Sequence, residues 1–201
     1  MHPDTTTVAH ASVRSLQELY TVAIGVALAK AMELYVGGSE GGSGHGERFR
    51  EMTPGLVALV ATLVPFYHGA MRHLDKMYVE DHGRFVRRGA LLADFLWLFI
   101  EAGIFVGMAL QLGPPARFGW WLVLLLVFDS TWGILFHFAL SKHRHHWAEF
   151  KWALTNLPVA GVLSVVLWRL SLSEEGTAAI AFVVPAVAVV RCQHPSGRAR
   201  G

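Results

Sequence analysis

Glu101 and Asp129 are the side chains here whose type and setting most invite chemistry, since each is an acid in the middle of a long apolar run. Five more ionisable groups share such settings: Lys30, Glu33, His68, Asp94 and His137. In hydrocarbon such a group costs about 2.5 kcal/mol or more, so it is expected to face a protein interior and find a partner. Asp94 and Glu101 are seven residues apart and fall on one helical face, and His68, Arg72 and Asp75 form an i, i+4, i+7 stripe. Carboxylates and imidazoles in a low-dielectric interior are groups that hold protons or small cations.

A rise of about 1.5 Å per residue along each apolar run gives the depths. Glu101 and Asp129 each come out about 18 Å from one membrane face and Lys30 about 21 Å, which makes a midplane layer. Asp94, His68 and His137 fall at about 6 to 8 Å and form an inner layer, with Arg72 and Asp75 at its mouth. His73, next to Arg72, is expected to point elsewhere. Two acids and one base at the midplane leave one acid protonated or a cation bound. The bland alternative is a structural one: the charges fix the bundle, and Lys30 neutralises Glu101 or Asp129.

Other chemistry has less behind it. In SKHRHHWAEFKW, residues 141–152, His143 and His146 are three apart and Glu149 follows by three, so one helical face could offer three metal ligands. Separated histidine boxes of the membrane di-iron kind are missing, so a solvated juxtamembrane cluster is expected and no cofactor is assigned. No GxSxG, HExxH or P-loop occurs. Ser130 follows Asp129, but adjacent residues diverge by about 100° on a helix, which rules against a nucleophile pair. No catalytic residue is assigned.

The elements that must position these groups are membrane helices. Of 201 residues, 53% are hydrophobic and 16% charged, with mean hydropathy +0.41; soluble domains carry about 25% charge. The apolar residues come in blocks of roughly 18 to 24, the length that crosses about 30 Å of hydrocarbon. Six spans are predicted, at 16–36, 54–72, 89–112, 118–141, 153–171 and 176–191. The last is short and contains Pro185. The fold class is an all-α polytopic membrane bundle: residues 1–15 form an N-terminal segment, 16–191 one transmembrane domain, and 192–201 a tail. The first apolar run is expected to stay as an uncleaved span.

With six spans, twelve Lys and Arg residues lie on the side holding both termini and four on the other. The positive-inside rule then makes both termini cytoplasmic, in the cell (inner) membrane. The pI near 8.9 is explained by this asymmetry and implies no nucleic-acid partner. Cys192 is the single cysteine, so no internal disulfide forms. Residues 73–88 are expected to lie on the inner surface, and Trp120, Trp121, Trp147, Trp152 and Trp168 to act as interfacial anchors. Gly103 and Gly107 make a GxxxG for close helix packing.

In outline the chain resembles two families of small six-span bacterial membrane proteins. The stretch YTVAIGVALAKA resembles the first helix of bacterial relatives of the lysosomal potassium channel, though Leu19, Tyr20 and Thr21 stand where their Phe-Ser-Asp would fall. Ala27 and Ala31 resemble the small-residue spacing in the substrate-binding subunit of energy-coupling-factor vitamin transporters. Each resemblance covers one helix and an outline, so no site residue is carried over. The expectation is permeation of an ion, proton or small solute through a polar-lined bundle. A chain this small would conduct as a homo-oligomer within the lipid bilayer. A non-transporting effector, scaffold or sensor acting through the 73–88 and 142–152 loops is the alternative, and a membrane-embedded enzyme the third.

Overall fold

A computed structural model describes residues 5–37, 45–80, 88–140 and 147–171. They form five helices: α1 (Thr5–Gly37), α2 (His45–Leu74), α3 (Arg88–Ala109), α4 (Pro115–Leu140) and α5 (Trp147–Ser171). No strand occurs among the described residues. All five are long and apolar enough to span a membrane, with candidate spans Ala11–Gly37, Phe49–Val79, Leu91–Ala109, Pro115–Leu135 and Trp152–Arg169. The proposed sixth span, 176–191, lies outside the described residues.

The surface is inverted relative to a water-soluble protein. Val22 on α1, Phe99 on α3, Phe138 on α4 and Val162 on α5 are exposed, while Asp94, Glu101 and Asn156 are buried. Helices that meet hydrocarbon are built this way, because polar groups must be satisfied inside the bundle. On α1 the inward set is Val13, Leu16, Tyr20, Ile24, Ala27 and Ala31. These steps of three and four make one continuous stripe. Its upper members are small, which lets a neighbouring backbone approach closely.

Successive helices run antiparallel. We call the end where α1, α3 and α5 begin the lower end. α4 packs most extensively along α5, and α1 along α3; α3 also meets α4 and α2, and α2 meets α1. The α3–α4 connection is short because Pro114 and Pro115 cannot continue α3. Gln111 N bonds to Met108 O at 3.0 Å, tightening the last turn, and Phe118 N bonds to Pro114 O at 3.0 Å to start α4. Pro115 suits the first position of α4, where its missing N–H would have had no helical partner. At the upper end Gly55 sits directly on the Leu112 carbonyl, a contact no other residue type permits.

Three local expectations are corrected. Residues 75–80 continue α2 as a π-helical turn, with Met77 and Tyr78 buried, rather than lying on the surface. The GxxxG splits: a Cβ on Gly107 would stand 2.8 Å from the Trp121 ring, whereas Gly103 faces open space. Trp121 is therefore a packing residue. Trp120 and Trp168 remain exposed, and Arg169 lies 5.9 Å from the Trp168 ring centroid.

Candidate functional site

All five helices contribute to a polar layer at mid-height. Glu101 on α3 is 4% exposed and accepts a hydrogen bond from Tyr20 Oη on α1 at 3.1 Å. Asp129 on α4 is half-buried, and its Oδ2 accepts two N–H donors from α5: Trp152 Nε1 at 2.5 Å and Asn156 Nδ2 at 2.6 Å. The Tyr20 hydroxyl lies within electrostatic reach of both carboxyl groups and of Tyr67 on α2. Each acid is thus held inside the bundle by neutral donors of another helix, Glu101 by α1 and Asp129 by α5.

Aromatic contacts set this register. Trp97, one turn before Glu101, stacks on Phe128, the neighbour of Asp129, with centroids 3.8 Å apart and planes 13° from parallel. Trp132 also stacks on Trp97, with centroids 4.7 Å apart. Phe66 on α2 meets Phe105 on α3 and Trp152 on α5 edge to face, at 5.9 and 6.0 Å. These rings hold α3 against α4 and orient the indole that donates to Asp129, so the acid layer has a defined geometry.

A second polar cluster lies seven residues, about 10 Å, down α3. Asp94, 2% exposed, accepts a 2.5 Å hydrogen bond from Tyr78 Oη in the π-helical turn. His73 Nε2 stands 3.8 Å from the same carboxylate oxygen.

The structure keeps some of the expected site residues together and separates others. Glu101 and Asp129 both turn into the bundle, but Lys30 does not join them. Its Nζ pairs with Glu33 at 2.8 Å, three residues along the same helix, where the two side chains are 36% and 65% exposed. The physical reason is reach: an i, i+3 partner is at hand on the helix surface, whereas the acids lie behind the Tyr20 stripe. His68 is exposed and leaves the inner layer; His73, expected to point away, takes its place beside Asp94. His73 is seven residues from buried Phe66 and shares its face, while His68, two residues on, turns nearly opposite. Arg72 and Asp75 are exposed at the lower end, and Asp75 accepts a 2.8 Å hydrogen bond from Gln17.

The His137 side chain, His143, His146 and the Glu149 side chain lie outside the described residues. Among the described residues no group of three His, Cys, Asp or Glu side chains could hold a metal ion. Ser130 donates to Leu126 O at 2.6 Å, along its own helix.

Sequence reasoning missed Tyr20, Tyr78, Trp152 and Asn156. Asn156 carried the clearest signal, since a carboxamide within a span needs a partner as much as a charge does. Trp152 read as an interfacial anchor because it opens an apolar run, and only the fold turns its N–H inward. No protein-family model matches the chain, and neither a curated protein nor a solved structure matches it.

Proposed function

We propose that this chain moves a proton or a small cation through the membrane interior, with Glu101 and Asp129 as the binding groups. The observation that carries this reading is that two carboxyl groups, on antiparallel helices, both turn into the bundle onto neutral donors of neighbouring helices. Like charges in a low-dielectric interior resist full ionisation together, so such a pair readily takes up a proton or a cation. Tyr20, Trp152 and Asn156 orient the two groups, each supplying a neutral donor. The reaction is binding and release, with no covalent step and no cofactor. In this reading both termini are cytoplasmic, 176–191 completes a sixth span, the membrane is the cell (inner) membrane, and several copies assemble if the protein conducts.

The test is reconstitution into liposomes with an imposed proton or cation gradient. Wild-type flux should be lost in Glu101→Gln and in Asp129→Asn, with helical circular dichroism and thermal unfolding retained. Absence of wild-type flux over a range of pH and cations would overturn the transport reading and leave the non-transporting membrane module.

A further inference from the structure

We propose that the seam between α1 and α2 is a water-accessible half-channel, which leads from the lower end of the bundle to Glu101 and stops there. The cargo rests on the functional reading above; the access itself is tested independently of transport.

Two independent observations carry the proposal. The first is a line of polar contacts between these helices. At the lower end Gln17 Nε2 donates to Asp75 Oδ1 at 2.8 Å. One turn higher, Thr21 Oγ1 donates to Gln17 O at 2.7 Å. Because that contact uses the threonine proton, Tyr67 donates in its 2.9 Å contact with Thr21. The Tyr67 ring then stacks parallel on Tyr20, with centroids 6.0 Å apart, and Tyr20 reaches Glu101. Thr21 and Asp75 are exposed and Gln17 and Tyr67 half-exposed, on helices that also expose apolar side chains such as Leu19, Val22 and Val64. Polar groups left against lipid tails are costly, and water in the seam relieves that cost.

The second observation is the asymmetry of the interior about the acid layer. Below it lie Asp94, Tyr78 and His73. Above it the buried side chains are apolar, among them Ile104, Phe105, Met108, Leu122, Leu126 and Leu163. Among the described buried residues above the layer the one polar side chain is Thr62, and its hydroxyl donates to Ala58 O at 2.8 Å, within its own helix. From Glu101 to Leu112 this apolar stretch covers about 16 Å at 1.5 Å per residue. Buried donors and acceptors therefore reach up to the acids, while above them the polar pairs Lys30–Glu33 and Tyr35–Thr53 lie half-buried or exposed on α1 and α2, outside the apolar interior. A proton arriving along the seam converts the Glu101 carboxylate to the acid, and its return by the same path restores the carboxylate; no other bond changes.

The experiment uses full-length protein carrying Cys192→Ser, in sealed vesicles of defined sidedness, with a charged, membrane-impermeant methanethiosulfonate. Single cysteines replace Thr21 in the seam, Met108 in the apolar half and Gly113 in the upper turn. Thr21→Cys should react from the lower-end side alone, about tenfold or more faster than Met108→Cys, because a thiol ionises readily only where water reaches it. Gly113→Cys should react from the opposite side. Ala27→Cys provides the same check where Met108→Cys does not fold. Protection of Thr21→Cys from both sides, or equal modification of Met108→Cys, overturns the half-channel. Proton flux in the same vesicles keeps the two readings apart. Flux without Thr21→Cys modification removes the half-channel and spares the transport reading. Modification without flux removes transport and upholds the access.

Discussion

The Asn156–Asp129 contact offers a direct measure of charge in the acid layer. Its 2.6 Å separation converges with the 2.5 Å Trp152 contact on one carboxylate oxygen. Hydrogen bonds between neutral groups on membrane helices average about 0.6 kcal/mol in double-mutant cycles, with a maximum near 1.7. Those to a charged group contribute about 1.5–3 kcal/mol. The perturbation is Asn156→Leu and Asp129→Leu, singly and together. Leucine keeps the volume while removing the donor or the acceptor. The assay is reversible unfolding in bicelles, with the coupling energy taken from the cycle. We expect about 1.5–3 kcal/mol at pH 8, the value for an ionised acceptor. The coupling should decline toward about 0.6 kcal/mol in acid, as the carboxylate takes up a proton. A pH-independent coupling of about 0.6 kcal/mol or less would refute the reasoning, because Asp129 would then be a neutral structural acceptor and a poor carrier.

Other expectations follow from the packing. Gly107→Val should destabilise by about 1–3 kcal/mol, since its Cβ would stand 2.8 Å from the Trp121 ring, whereas Gly103→Val, facing open space, should be near neutral. Parallel thermal unfolding in detergent checks this, and equal effects at both sites would restore the symmetric GxxxG seam. Tyr78→Phe removes the donor to buried Asp94 and should cost about 1–3 kcal/mol in the same measurement. A stability unchanged from wild type would mean that Asp94 needs no phenol.

What the chain states by itself and what the fold decides divide along a physical line. Hydropathy sums along the chain, so five spans were legible from blocks of apolar sequence, with their ends placed to within seven residues. The height of a residue follows from counting only as well as the span's ends are known: Lys30 counts to the level of the acids, yet it lies ten residues, about 15 Å, further along α1 than Tyr20, which bonds to Glu101. Rotation about each helix axis is a different matter. α3, α4 and α5 are almost uniformly apolar around their circumference, so apart from Asp94, Glu101, Asp129 and Asn156 little in them marks the inner face. The stacking of Trp97 on Phe128 and the edge-to-face contacts of Phe66 with its two partners fix those faces. That choice turns Trp152 and Asn156 onto Asp129, and it brings His73 rather than His68 to Asp94. Lys30 is the opposite case: its Glu33 partner stands three residues away in the sequence, and that local pair forms rather than one with the acids.

The acid layer rests on one physical condition, that both carboxyl groups end inside the bundle on donors from other helices. Sequence supplied the acids; side-chain packing between helices supplied their partners. A span's length is a property of one segment, while the direction a side chain faces is a property of the neighbours it packs against.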